Sequence, residues 1–65
     1  MQSQLPKTNY SCIVVDDDEI DRLTVLAFLE PYSFIRVTGK FASAEQALAG
    51  VVNARPDILF LGYAL

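Results

Sequence analysis

Two unbroken apolar runs constrain this chain more than any other feature: "CIVV" at Cys12–Val15 and "ILFL" at Ile58–Leu61. Neither alternates with polar residues, the pattern of strands covered on both faces. Between them the period changes. Ile20, Leu23, Leu26 and Ala27 recur at helical spacing within residues 19–30 and predict one apolar face. Val25, Phe28 and Leu29 fall outside that stripe, so this helix is apolar over much of its circumference, and Pro31 ends it. "FIRVTGKF", Phe34–Phe41, carries Arg36 and Lys40 in an alternating pattern that suits an edge strand. Ser43 and Gln46 then have capping-box spacing ahead of a stripe of Ala44, Ala47, Leu48 and Val51. Gly50 weakens that second helix by roughly 1 kcal/mol relative to alanine, and Pro56 stops it. Strand, helix, strand, helix, strand in this order predicts parallel strands joined by right-handed crossovers. The expected fold class is α/β, a three-stranded half-sheet.

A chain of 65 residues makes one small domain, burying only about 60% of the surface its unfolded form exposes. With Cys12 the sole cysteine, no disulfide can form within the chain. Its apolar setting, and the lack of any histidine to activate it, make it a small core hydrophobe in a reducing compartment. The hydrophobic share is 52%, yet no segment reaches the ~20 apolar residues of a membrane span. "MQSQLPKTNY" has no apolar core of a secretion signal. The expected location is cytoplasmic, away from membranes. A net charge of −3 without a basic cluster argues against direct nucleic-acid binding. Residues 1–11, polar and carrying Pro6, are expected to be a flexible amino-terminal arm before a domain over residues 12–65.

Five of the eight acids fall within "DDDEID", Asp16–Asp21, directly after the first strand. In an open parallel sheet the carboxyl ends of the strands form the ligand crevice. Asp16 and Asp17 would stand there, with Gly62 beside them at the end of the third strand. Asp18, Glu19 and Asp21 are explained by the helix amino terminus, where acids cap free N–H groups and complement the dipole. The strand-end pair is not, and a hard cation such as Mg²⁺ would relieve its repulsion.

"CIVVDDDEIDRLTVLAFLE" resembles the opening of a response-regulator receiver domain of two-component signalling. "FASAEQAL" resembles that family's second helix and its approach, and "RPDILFLGYAL" the segment that carries the phosphoacceptor aspartate. The resemblance covers residues 12–65 and implies the amino-terminal half of a CheY-like, flavodoxin-like domain with strand order 2-1-3. It further implies that Asp16 and Asp17 are the metal-binding pair, Asp17 the more direct ligand, with the Ala64 carbonyl on the same ion. A histidine kinase is the ancestral partner.

Where the family has its phosphoacceptor aspartate, this sequence has Gly62. The family's later Ser or Thr and Lys have no counterpart within these residues. The resemblance thus implies a truncated receiver, inactive as an enzyme and unable to accept a phosphoryl group, with weak or absent Mg²⁺ binding. It would act, if at all, through self-association or partner binding. A homodimer is expected through the third strand, Ile58, Leu59, Phe60 and Leu61, left as an apolar edge. Two alternative readings share these residues. "DDD" also fits the Asp-x-Asp of haloacid-dehalogenase-type phosphatases, with Asp16 as nucleophile and Asp18 as acid/base, but their later catalytic residues are lacking. The other is a residual divalent-cation-binding module.

Overall fold

Five segments alternate along the chain: β1 (Tyr10–Asp16), α1 (Glu19–Leu29), β2 (Ile35–Phe41), α2 (Ala44–Ala54) and β3 (Ile58–Gly62). They come from a computed structural model that describes residues 8–62. The strands form one sheet in the order β2-β1-β3, both pairs parallel, a flavodoxin-like α/β half-fold. The expected arm falls largely outside the described residues, but Tyr10 and Ser11 are already in β1.

Because β1 lies between the other two strands, its "CIVV" run is shut off from water, each residue at most 1% exposed. Cys12 and Val14 face α1 and pack with Leu29, Val25 and Leu26. Ile13 and Val15 face the other way, against Ala47 and Val51 of α2. Each fully buried aliphatic side chain contributes about 1.5–3 kcal/mol.

Helix α1 does not bury the stripe its spacing suggested. Ile20 and Leu23 are 72% and 57% exposed, while Val25, Leu26 and Leu29 form the packed face. The helix is rotated by roughly 100°, about one residue's step. A helix apolar on most sides has no unique phase in its sequence, and the strand it packs on sets it. In α2, Ala47 and Val51 are packed as expected, but Leu48 is 63% exposed.

Strand β2 departs from simple alternation. Cys12 pairs with Val37 but Ile13 pairs with Gly39, so Thr38 is an extra residue, a β-bulge. Its hydroxyl donates to the Cys12 carbonyl at 3.4 Å. Ile35 and Val37, before the bulge, pack on the α1 side; Phe41, after it, packs on the α2 side. A Cβ at Gly39 would lie 2.8 Å from the Phe41 ring, and one at Gly50 2.9 Å from it. Gly50 thus has a packing reason: it leaves α2 open where the ring sits.

Asp57 ties the start of β3 to the start of β1. Its carboxylate accepts from the Ser11 N–H at 2.9 Å, and its own N–H donates to the Ser11 carbonyl at 3.0 Å. Arg55, just before, ends α2 in the left-handed region at φ 47° and donates its N–H to the Val51 carbonyl at 2.9 Å.

Candidate functional site at the carboxyl ends of the strands

The parallel register sets Asp16 beside Gly62, the last residue of β1 against the last of β3. Asp16 is 6% exposed, an uncommon degree of burial for a carboxylate. One oxygen, Oδ1, accepts from the Asp18 N–H at 2.9 Å. The rest of the carboxyl leans over Gly62: a Cβ built there would lie 2.9 Å from Asp16 Cγ and closer still to Oδ2. Asp16 therefore occupies the space into which any side chain at position 62 would grow.

The other acids divide as their positions suggest. Asp18 is the N-cap of α1, its Oδ1 accepting from the Ile20 N–H at 2.8 Å and the Asp21 N–H at 3.1 Å. Glu19 and Asp21 lie in the first turn. Asp17 is exposed at the turn between β1 and α1. The charge of Asp18, then desolvation, then the charges of Asp16 and Asp17, hold the Asp21 carboxyl above its ordinary pKa. Burial likewise pushes the Cys12 thiol up, as suits an inert core position.

Sequence reasoning missed Arg22. From the first turns of α1 its Nη1 donates to the Asp16 carbonyl at 2.7 Å, which brings a cation to the acid cluster. The six-residue separation from Asp16 was the available signal, and it has meaning only once the turn into the helix is known.

For a divalent cation the described residues offer Asp16 and Asp17; Ala64 lies outside them. Among the described residues no group of three or more histidine, cysteine or acidic side chains is arranged to hold a metal. One Asp16 oxygen accepts from the Asp18 N–H and the other faces Gly62. Of the strand expected at a dimer interface, Ile58 and Phe60 pack inward on the α1 side. Leu59 and Leu61 are 43% and 56% exposed.

Comparison with known proteins adds one likeness. The chain is 35% identical over 49 residues to the transcriptional regulatory protein BtsR of Escherichia coli K12 and of Escherichia coli O6:H1, and equally to that of Shigella flexneri. It supports a relation to response regulators. The match takes in 75% of this chain but 20% of each relative, so the chain spans about a fifth of the length of the curated relatives it matches. No family model matches, and no solved structure does. No helix among the described residues is long and apolar enough to cross a membrane.

Proposed function

We propose that this chain is a receiver-type module of a two-component response regulator that does not take a phosphoryl group at position 62. It acts through association, with itself or with a partner such as a histidine kinase, rather than through phosphoryl transfer. The reading rests on one observation above the rest: Gly62, which has no nucleophile, ends β3 directly beside Asp16, whose carboxylate leans across it. A phosphoryl group arriving there would meet the Asp16 carboxylate, held by the Asp18 N–H, and no side chain at 62 to accept it. Mg²⁺ binding is correspondingly weak, since Gly62 supplies no carboxylate beside Asp16 and Asp17 and the ion gives up its own waters reluctantly. The phosphatase alternative has no observation in its favour.

Incubation with a small acyl-phosphate donor and Mg²⁺ tests both points. The intact mass should stay unchanged, and amide resonances of Asp16 and Asp17 should not move at sub-millimolar Mg²⁺. A stable gain of one phosphoryl group, mapped to any of Asp16, Asp17 or Asp18, would overturn the reading.

A further inference from the structure

Arg22 stands where helix electrostatics alone would not put a cation. It is the fourth residue past the N-cap Asp18, and its N–H makes an early backbone bond of α1, to the Asp18 carbonyl at 2.9 Å. The positive end of a helix macrodipole favours acids there and disfavours bases. Asp18, Glu19 and Asp21 follow that rule. Arg22 does not, and its side chain shows what it gains instead. Half-buried, it turns back past the cap, and Nη1 donates to the Asp16 carbonyl at 2.7 Å, the short end of the N–H···O range. That carbonyl belongs to the peptide joining Asp16 to Asp17, so a full positive charge sits at the joint of the strand-end pair. The crowding of the acids around it is felt at Asp21, whose carboxyl is held above its ordinary pKa by Asp18 first, then by desolvation and by Asp16 and Asp17.

We infer that Arg22 is the chain's own counter-ion for the turn between β1 and α1, doing for Asp16 and Asp17 what a divalent cation would do. The contact spans six residues of one chain, so it forms without any free ion. Arginine suits the task, since its guanidinium is always charged and its N–H groups point in a fixed fork. The same bond fastens the last residue of β1 to α1. Beside it, Asp16 Oδ1 accepts from the Asp18 N–H at 2.9 Å. Asp16 is thereby held at its carbonyl and at its carboxylate, next to Gly62. Without the Arg22 charge the turn keeps its acids and loses the cation at their joint, and a divalent ion from solution gains a reason to bind. A positioning residue of this kind acts on the acid cluster whether or not position 62 takes a phosphoryl group, so the inference stands apart from that reading.

Urea denaturation of the full chain at low ionic strength, with and without millimolar MgCl₂, tests this. Arg22→Gln keeps an N–H donor without the charge. It should lower the folding equilibrium constant by at least about fivefold, the difference between a hydrogen bond from a charged and from a neutral donor. Arg22→Lys keeps the charge and should retain most of the parent's stability. The loss in Arg22→Gln should narrow as NaCl screens the acids from one another. It should narrow further when MgCl₂ replaces NaCl at equal ionic strength, while the parent responds little. Should Arg22→Gln be unfolded at low salt, MgCl₂ should restore its far-ultraviolet circular dichroism. An Arg22→Gln variant as stable as the parent, a loss that is equal in NaCl and MgCl₂, a chain that MgCl₂ does not refold, or an Arg22→Lys variant as weak as Arg22→Gln would each overturn the inference. Silence toward the phosphodonor is a separate readout, so failure of one does not imply failure of the other.

Discussion

Gly62→Ala adds a single methyl group and puts it against the Asp16 carboxyl, 2.9 Å from Cγ. Ordinarily alanine in place of a strand glycine with compatible backbone stabilises by about 0.4–1 kcal/mol, by restricting the unfolded chain. Here the methyl group forces Asp16 to rotate, and rotation breaks the bond from the Asp18 N–H to Oδ1. A hydrogen bond to a charged group is worth about 1.5–3 kcal/mol. The net expectation is a loss of about 1–2 kcal/mol, or a fall in Tm of about 4–8 °C per kcal/mol for a domain of this size. Asp16→Ala removes the obstruction, so in that background Gly62→Ala should be neutral or mildly stabilising. Urea denaturation of the four proteins at one fixed concentration gives the coupling between the two positions. If Gly62→Ala costs the same with and without the Asp16 carboxylate, Asp16 does not lean over Gly62 and the account of a self-closed site fails.

The raised pKa of Asp21 makes a second expectation, about pH. An acid whose pKa is higher folded than unfolded binds its proton better in the native state, so its contribution is fully present below the unfolded value and lost as pH rises through the folded one. Asp21→Asn should therefore raise stability near pH 7, an advantage that disappears as pH falls below about 3.9; an advantage that persists in acid would refute repulsion by Asp18 as the cause. Gly50→Ala should destabilise by about 1 kcal/mol, against the usual gain of alanine in a helix, because the new Cβ meets the Phe41 ring at 2.9 Å. Chemical denaturation would show the sign, and Phe41→Leu should reverse it.

Much of the architecture is legible in the residues. The strands announce themselves as apolar runs, and Ser43 accepts from the Gln46 N–H as a capping residue should. Gln46 returns its side chain to the Ala42 N–H, one residue earlier than a strict capping box would have it. The hidden features are those that depend on a neighbour across the fold. Periodicity cannot choose the buried side of α1 when Phe28, 66% exposed, is as apolar as the packed Leu29. The bond from the Ser11 N–H to the Asp57 carboxylate joins residues 46 positions apart, and neither segment read alone announces it. Asp16 and Gly62 can be paired by assuming a parallel sheet, but the tilt of the carboxyl onto the glycine is a matter of one rotamer. Gly50 looks like a defect in its helix until Phe41 is placed.

The bulge at Thr38 has a consequence for cooperativity. In a regular strand Ile35, Val37 and Phe41 would all support one layer, leaving the other to rely on β1 and its own helix. By changing sides at Thr38, β2 lends its first half to one layer and its second half to the other. Neither helix therefore has a private floor. To peel α2 away while β2 stays would strand the Phe41 ring in water, and to release α1 would do the same to Ile35 and Val37. Local opening in proteins follows units that can leave without exposing their neighbours, so among the described residues the release of either helix is expected to cost part of β2's packing as well.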